Sequence, residues 1–478
     1  MAGTGIIAEQ FGIPCVVVTA PGFEKQAKLT GQNNAVPSLQ VAVYPGAFDT
    51  HSDGELEENT RTTVFPQIVE LLTKPIGPGG MGIRSTGSRS IVFTGTLDEV
   101  NRHFSDMKWS DGMPIVPPTI ERIVEFLKYT DYSPGEEIAV LPVANLRATP
   151  WNIAVNGVMA GCRPEFMPLL IAYVKAIGDP VKGPKMFFGS THSWIPYLWV
   201  NGPLARQLGI DHGQGLIGYP VNRVLGRSLG LIVRNLAGFR IKETAMGTYG
   251  YTIPWVLAED ETFLREIGWE PYHVEKGFDR NASTVTASTA TAWGQNNIPA
   301  LSVSDVQTVM QLIAREMTYK EGFASGQIGI QRVELISPPV ARVLAAGYKT
   351  KQSLIGDLIK ATRKPTFEAA FSKLYGSFGP VYGTFEEILD ELLAGPEAEK
   401  GKLPPWYGRF PGWEDIVTTP CINTERPPEI LVCGDANRNK TQTLPGGSVS
   451  SREVELPAKW DKQMSDLGYP VLSDCLIG

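Results

Sequence analysis

Runs of apolar residues near the start of the chain predict a small parallel sheet. A continuous β-branched run lies within residues 12–19, and a second short apolar run covers residues 41–44. Such runs are typical of strands that are covered on both faces. Helix-type patterns over residues 5–11 and 62–72 flank them. Residues 1–75 are therefore predicted to form a small flavodoxin-like α/β unit that is incomplete at its N-terminal end.

Glycine and proline separate this unit from the rest of the chain. Residues 76–95 include Gly77-Pro78-Gly79-Gly80 and predict a linker. Beyond it, helix-type and strand-type patterns alternate, so residues 96–478 are predicted to form a larger α/β or α+β domain. The polar, turn-rich sequence after Thr441 predicts an extended tail that wraps the surface. No internal repeat is visible along the chain.

The clearest local signals surround Cys162. Thr149 and Pro150 predict the start of a helix, Gly161 predicts its end, and Pro164 predicts the start of another. Cys162 would then precede a helix N-terminus, where free N–H groups, the helix dipole and the adjacent arginine favour a thiolate. The pattern fits a cysteine nucleophile, and it also fits a small buried residue that fills a helix–helix corner.

Composition narrows the class of protein. Of the 478 residues, 42% are hydrophobic and 19% are charged, which is typical of a soluble globular chain of two or three domains. The net charge of −7 and the absence of a basic run with interleaved aromatics argue against a nucleic-acid partner. No apolar run reaches the length of a membrane helix, and no signal peptide is evident, so we expect a cytoplasmic protein without membrane association.

The spacing of the cysteines, glycines and histidines restricts which cofactors this chain is expected to bind. The five cysteines are odd in number and widely spaced, which supports neither a disulfide framework nor a CxxC metal site. Residues 213–218 have the GxGxxG spacing but follow no clear strand, so no strong nucleotide-cofactor motif is present. No histidine pair has the spacing of two ligands on one helix face. A transition metal site assembled from distant residues stays open, with His192, His212 and Cys162 as candidate ligands.

Candidate catalytic and binding side chains lie in loops and at element ends. His192 and His212 occupy predicted loops, and Asn201 lies in a turn at the end of a predicted strand. Together with Cys162 and Glu165, His192 and Asn201 form the candidate catalytic set. Arginine forks bind carboxylates and phosphates, although the same arginines would also suit surface salt bridges. The candidate substrate-binding residues are Arg147, Arg163, Arg223, Arg227 and Asn156.

Several segments together resemble one family, the UGSC-type proteins, named for a Sec/Cys-Gly-Ser-Cys motif and similar in their N-terminal part to component B of the glycine and betaine reductases. The block around Cys162 is the most specific segment. The resemblance implies that the N-terminal unit is a redox domain. This chain, however, has Ala2-Gly-Thr-Gly5 where the Sec/Cys motif is expected. The motif is lost, lies on another polypeptide, or lies upstream. The resembling segments are Asp111-Gly-Met-Pro-Ile-Val-Pro-Pro118, residues 148–165, Val200-Asn-Gly-Pro203, residues 222–227 and Ala258-Glu-Asp-Glu261 with residues 273–278.

Three functions are compatible with these observations. The first is an enzyme that uses the Cys162 thiolate for reductive or eliminative cleavage at an activated carbon of a small, polar, anionic substrate, a reaction class that the resemblance implies. The second is a metal- or acid/base-assisted lyase or hydratase that uses His192, His212, Glu165 and Cys162. The third is a non-catalytic subunit of a larger reductase. We expect either a homo-oligomer or a subunit of a hetero-complex.

Overall fold

A computed structural model of the protein describes residues 2–74, 89–141, 144–179, 189–250, 252–294, 296–298, 305–320, 330–375, 383–403, 409 and 411–476. The predicted α/β character is confirmed, with a small parallel sheet and a larger mixed sheet. Most of the predicted linker lies outside the described residues. So do residues 185–188, whose pattern predicts a strand, and Ser302 and Ser304, one of which is predicted to cap a helix that ends near Met317.

The N-terminal unit contains the predicted helix, two strands and final helix in that order, and two further α-helices that were not predicted. Its elements are α1 (Ala2–Gln10), β1 (Val16–Thr19), α2 (Glu24–Asn33), β2 (Gln40–Val43), α3 (Asp53–Asn59) and α4 (Phe65–Thr73), of which α2 and α3 are the two further helices. Strands β1 and β2 pair in parallel, as predicted. A small core of Ile6, Val17, Val36 and Leu39 lies beneath them. The unit contacts the rest of the protein through an ion pair of 2.8 Å between Lys25 and Glu243.

Helices dominate the next segment. Its elements are α5 (Leu97–Asp106), α6 (Ile120–Leu127), β3 (Ala139–Leu141), β4 (Leu146–Ala148), α7 (Pro150–Ala160) and α8 (Met167–Ile177). Helix α7 has the predicted boundaries, because Thr149 accepts a hydrogen bond from the Asn152 N–H and Gly161 ends the helix with φ of 85°. Strands β3 and β4 form a separate antiparallel pair.

The remaining elements build two further sheets. They begin with β5 (Ile195–Asn201), α9 (Pro203–Leu208), α10 (Pro220–Asn235), β6 (Trp255–Ala258), α11 (Glu261–Ile267), α12 (Tyr272–Glu275), β7 (Thr284–Ala290), β8 (Asn296–Asn297), α13 (Val306–Tyr319), β9 (Gln331–Ile336), α14 (Pro338–Gly347) and α15 (Lys351–Ala361). They continue with β10 (Arg363–Pro365), α16 (Thr366–Tyr375), α17 (Phe385–Ala394), β11 (Glu399–Lys400), β12 (Val417–Pro420), β13 (Glu429–Val432), β14 (Lys440–Gly446), β15 (Ser450–Glu453) and α18 (Trp460–Asp466).

The large sheet has the strand order β13-β9-β14-β7-β5-β6, with β8 paired to β14 and β15 paired to β7. The prediction of a surface tail after Thr441 is wrong, because β14 lies inside this sheet and is buried from Thr441 onward. Helix α13 also starts later than predicted, since Asp305 accepts a hydrogen bond from the Thr308 N–H and caps it. Strands β10, β12 and β11 form a small antiparallel sheet of their own.

The large sheet consists of two halves with the same pairing pattern. Strand β5 pairs parallel with β6 and antiparallel with β7, and β9 pairs parallel with β13 and antiparallel with β14. The registers correspond, because Val200 of β5 lies opposite Ala258, and Ile336 of β9 lies opposite Val432. The chain therefore contains an internal duplication that the sequence pattern does not make visible.

Two local features support the duplication. Helices α9 and α14 contain Pro203-Leu-Ala-Arg-Gln-Leu208 and Pro339-Val-Ala-Arg-Val-Leu344, which are alike at the Pro, Ala, Arg and Leu positions. The halves join where Ala290 of β7 pairs with Gly446 of β14. These two residues occupy corresponding positions in their strands, so a pseudo-two-fold axis passes between them. A Cβ on Gly446 would come within 1.7 Å of the Thr289 carbonyl oxygen, which explains the glycine there.

The sheet curls around a shared inner core. Aromatic and aliphatic side chains from both halves, including Trp199, Trp255, Leu335 and Leu431, form one buried cluster. The two terminal strands β6 and β13 meet just beyond their carboxyl ends, where the Asp260 N–H donates a 2.8 Å hydrogen bond to the Val432 carbonyl. Helices α7, α8 and α10 cover the outer face of the first half, and α13, α14 and α15 cover that of the second.

Candidate active site

A cavity of about 590 Å³ lies at the carboxyl ends of β5 and β6. Ligands of open α/β sheets bind beyond the carboxyl ends of parallel strands, where loops converge on free backbone groups. Charged side chains of both signs line this cavity. They include Arg206, His212, Glu259, Glu261, Arg265 and Arg280.

His212 and Asp260 form a pair at this cavity. The His212 Nδ1 atom lies 3.5 Å from Asp260 Oδ2, and the histidine side chain is about half exposed. The hydrogen bond to Asp260 raises the pKa of His212. Burial opposes the ionisation of Asp260, but the hydrogen bond and the charge of His212 bring its pKa below the ordinary value. A carboxylate that orients one ring nitrogen leaves the other nitrogen to serve as a general acid or base.

Asp260 is itself held in place by α11. Its Oδ1 atom accepts a 3.1 Å hydrogen bond from the Phe263 N–H and caps the helix. The loop that carries His212 is fixed as well, because the Gly434 N–H donates a 2.6 Å hydrogen bond to the His212 carbonyl. Both members of the pair are thus positioned by backbone contacts rather than by each other alone.

Glu259 is the buried hub beneath the cavity. Its Oε2 atom accepts hydrogen bonds from Asn201 Nδ2 at 2.8 Å and from the Tyr272 N–H at 2.7 Å. Its Oε1 atom accepts one from Lys351 Nζ at 2.7 Å, and both charged side chains are fully buried. The Val432 N–H adds a fourth donor at 3.4 Å. Such complete partnering offsets the desolvation of the carboxylate and fixes the ends of β5, β6 and β13 together.

Asn201 connects this hub to Glu261. Its Nδ2 atom also donates to Glu261 Oε1 at 2.9 Å, and the Gly202 N–H donates to the same oxygen at 2.7 Å. The Asn201 Oδ1 atom is buried without a hydrogen-bond partner among the described residues. His273 Nδ1 lies 3.5 Å from Glu261 Oε1. One oxygen of Glu261 is therefore committed to the scaffold, and the carboxylate faces the cavity.

Three arginines also line the cavity and supply positive charge. Arg206 donates a 2.7 Å hydrogen bond to the neutral Thr262 hydroxyl. Arg280 is paired with Glu270 and donates to its carboxylate. Arg265 also lines the cavity. Because Arg206 hydrogen-bonds to a neutral group, its charge remains available to an anion in the cavity.

The duplicated half does not repeat this chemistry. By register, Ser337 corresponds to Asn201, Cys433 to Glu259 and Asp435 to Glu261. Burial raises the pKa of the Cys433 thiol well above its usual range. Asp435 is half-buried and accepts a hydrogen bond from the Asn437 N–H within its own turn. The buried carboxylate hub is thus specific to the first half of the sheet.

The structure does not support the thiolate environment predicted for Cys162. Its side chain is buried in the largest described core cluster, and its Sγ lies 3.7 Å from the Val224 carbonyl oxygen. Burial raises the pKa of the thiol to about 12, which outweighs the lowering by Ser228, Arg163 and Arg227. A 3-10 helix begins at Pro164, as predicted, and leads directly into α8 at Met167, so the burial of Cys162 and not the position of the helix start opposes the thiolate. The packing interpretation of Cys162 fits this environment.

The other candidates near Cys162 have structural partners. Glu165 is buried, lies 3.1 Å from Arg163 Nε and accepts a 2.8 Å hydrogen bond from the Tyr469 hydroxyl. Arg227 binds Asp111 through two nitrogens at 2.9 and 3.0 Å. These contacts fix the chain segments around α7 and α10, so the salt-bridge interpretation of these arginines holds for Arg163 and Arg227.

The remaining predicted residues are dispersed. Arg147 is an exposed partner of Glu137, and Arg223 is exposed on α10. Asn156 is buried and accepts a hydrogen bond from Asn235. His192 lies in a loop and lines neither cavity described here. Of the predicted catalytic and metal-binding residues, only His212 lines the first cavity, and Asn201 is hydrogen-bonded to its lining residues Glu259 and Glu261.

Two classes of feature are not found in the described part of the chain. Its His, Cys, Asp and Glu side chains include no group of three or more arranged to hold a metal ion, so His192, His212 and Cys162 do not converge there. No described helix has both the length and the apolar character needed to cross a membrane.

Three acidic residues of the site were missed as functional candidates. Glu259, Asp260 and Glu261 follow directly after the buried run Trp255–Ala258, and this cluster at a strand end was the available signal. The partners of Glu259 are Asn201 and Lys351, which lie 58 and 92 residues away along the chain, so no spacing rule connects them.

Comparison with family models, with curated proteins and with solved structures found no match for this chain. The resemblance to UGSC-type proteins stays a prediction.

Proposed function

We propose that the protein is an acid–base enzyme of the lyase or hydratase class that acts on a small carboxylate in the cavity at β5 and β6. The observation that carries this proposal is that His212, which is paired with Asp260, lines the cavity together with Arg206 and Glu261. A nitrogen acid–base group, a carboxylate and a cation that line the same cavity suit proton transfer next to an anionic group.

Each residue has a role that follows from its contacts. Arg206 binds the substrate carboxylate, because its own hydrogen bond is to a neutral hydroxyl. Glu261 removes the proton on the carbon next to that carboxylate with the oxygen that does not bind Asn201 and Gly202. Protonated His212 gives its proton to the departing hydroxyl group. The C–H and C–O bonds break, a carbon–carbon double bond and water form, and solvent returns both catalytic groups to their starting states.

The pKa directions agree with these roles. The raised pKa of His212 increases the fraction of protonated imidazole near neutral pH, which a general acid requires. Asp260 keeps its negative charge in this range and stabilises the imidazolium. Lys351 and Asn201 act through Glu259 and Glu261 and are positioning residues.

The two other hypotheses from the sequence receive less support. A thiolate mechanism requires a reactive Cys162, whereas burial raises the pKa of this thiol to about 12. A non-catalytic role in a reductase stays a prediction that co-purification of a partner would test.

Deuterium exchange tests the proposal across a whole class of compounds, so that no single substrate has to be chosen first. The purified protein is incubated in D₂O with a panel of 2-hydroxy and 3-hydroxy carboxylates and the corresponding unsaturated acids, and proton NMR detects exchange or dehydration. We expect at least one compound to react with the wild type, and both His212→Gln and Glu261→Gln to abolish the reaction in folded protein.

His192→Gln is the matched control, because this histidine lines neither cavity. Full activity of His212→Gln, or loss of activity only in His192→Gln, would contradict the proposal. Loss of activity in Cys162→Ser with normal folding would return the assignment to the thiolate hypothesis.

A further inference from the structure

A second cavity, of about 930 Å³, lies between α5, α6, α7 and the C-terminal end of α10. It shares no lining residue with the first cavity. Large apolar side chains form its wall, among them Phe93, Phe104, Trp109, Trp151 and Met159. A wall of this kind is typical of a site for a small organic molecule rather than for an inorganic ion.

Two segments that carried the sequence resemblance meet at this cavity. Pro117 and Pro118 end the extended segment that Arg227 holds, and Trp151 and Asn156 belong to α7. The site around His212 uses neither of them.

Polar atoms without partners lie at one end of the cavity. Asn235 donates hydrogen bonds of 2.9 Å to the Trp109 carbonyl and 2.8 Å to Asn156 Oδ1, which leaves its own buried Oδ1 atom without a partner among the described residues. The Arg240 Nε atom is also buried and unpartnered within the described chain. Buried polar atoms are nearly always satisfied by protein, water or ligand.

The nearest acidic residue along the chain does not neutralise Arg240. Glu243 is instead bound by Lys25 at 2.8 Å and Lys108 at 2.6 Å. These two lysines hold the pKa of Glu243 at about 2. Arg240 forms no ion pair with any described residue. Its guanidinium charge is thus available to an anionic group in the cavity.

We propose that this cavity binds a small organic anion with an aromatic body. Its anionic group accepts hydrogen bonds from Arg240, an N–H or O–H group on the ligand donates to Asn235 Oδ1, and its aromatic body packs on Phe104, Trp109 and Trp151. Arg89, whose guanidinium lies 5.0 Å from the ring centre of Trp151, covers the same wall. The apolar wall supplies contact area. The guanidinium groups of Arg89, Arg122 and Arg240 outnumber the one lining carboxylate, that of Glu121, which gives selectivity for a negative charge.

A pair of fluorescent probes tests the two parts of this proposal separately. 8-Anilino-1-naphthalenesulfonate has the aromatic body with a sulfonate, and N-phenyl-1-naphthylamine has the same body without charge. We expect one sulfonate probe per chain, with tighter binding of the charged probe. Arg240→Gln should weaken binding of the charged probe about tenfold and leave the Kd of the neutral probe within about twofold, because one charge-assisted contact is lost.

Further variants make the test independent of one substitution. Asn235→Asp places a negative charge, of the same sign as the sulfonate, at the polar end of the cavity. It should also weaken binding of the charged probe only. Val155→Trp fills the apolar part and should weaken both probes about tenfold. Arg147→Gln removes the same charge at an exposed position outside the cavity and should change neither Kd. Circular dichroism and thermal melting verify that each variant is folded.

Several outcomes would overturn the proposal. Equal weakening of both probes by Arg240→Gln would show that this arginine does not select charge. Binding of several probe molecules per chain that Val155→Trp does not reduce would show adventitious binding only. None of these results depends on His212, so the outcome is separate from that of the proposed acid–base function.

Discussion

Glu275 is expected to make the protein less stable as the pH rises. This residue in α12 faces the buried hub and lies 3.5 Å from Lys351, which is already bound to Glu259 at 2.7 Å. Burial raises the pKa of Glu275 to about 7, the charge of Lys351 lowers it by less, and the charge of Glu259 adds to the rise. The carboxyl group is therefore easier to keep neutral in the folded protein than in the unfolded chain.

The size and sign of the effect follow from this shift. The pKa moves from the ordinary 4.5 to about 7, and each unit corresponds to about 1.4 kcal/mol. Converted in full, this shift lowers the free energy of unfolding by about 3 kcal/mol. Because a quarter of the Glu275 side chain is exposed to solvent, which screens its charge, we expect a loss of about 2 kcal/mol. Between these two pH values the folded state retains a proton that the unfolded state has lost, so the free energy of unfolding falls as the pH rises.

Glu275→Gln removes the loss of stability that accompanies the ionisation of Glu275. At pH 8 the variant should be more stable than the wild type by about 2 kcal/mol, and at pH 4.5 the two should be nearly equal, because Gln resembles the protonated acid. Urea unfolding followed by circular dichroism at several pH values between these limits measures the difference. Glu266→Gln, which alters an exposed ion pair with Arg342, is the matched control. A difference that is constant with pH, or a variant that is less stable at pH 8, would refute the reasoning.

Other substitutions test the packing of the charged groups. Lys351→Met should lower the free energy of unfolding by about 3–5 kcal/mol, because it leaves the buried Glu259 without its counter-charge. The double variant Lys351→Met with Glu259→Gln should lose less stability than the losses of the two single variants added together. Arg227→Met, which breaks a largely buried bidentate pair, should cost about 2 kcal/mol, whereas Arg147→Met at an exposed pair should cost less than about 1 kcal/mol in the same urea assay. Iodoacetamide at pH 8.5 should label Cys162 only after unfolding, as measured by peptide mass spectrometry; rapid labelling of the folded protein would contradict its burial.

Local signals predicted helices well, because caps act within one turn. The residues Thr149, Pro150 and Gly161 specified α7 to its first and last residue. Strand β14 could not be recognised in this way. Its buried threonines look like surface residues in the sequence, but Thr441 and Thr443 each donate a 2.6 Å hydrogen bond to a buried glutamate. The partners that make these side chains acceptable in a core come from distant parts of the chain.

The candidate site was only partly predictable for a similar reason. Loop position and residue type were sufficient to single out Asn201 and His212. The counterpart of His212 is Asp260, 48 residues further on, and the fold alone brings them together. The interpretation of Cys162 as a thiolate relied on the helix dipole. Burial has the larger effect on this thiol, and burial depends on packing that the local sequence does not specify.

The meeting of β6 and β13 has a consequence for how the protein behaves in solution. Terminal strands of a sheet expose backbone groups that can recruit another chain and start aggregation. Here the Asp260 N–H binds the Val432 carbonyl, and the Val432 N–H binds the Glu259 carboxylate, so these backbone donors and acceptors are occupied. At this end of the sheet, the carboxylate that organises the candidate active site therefore also occupies a backbone donor that another molecule would need for edge-to-edge association.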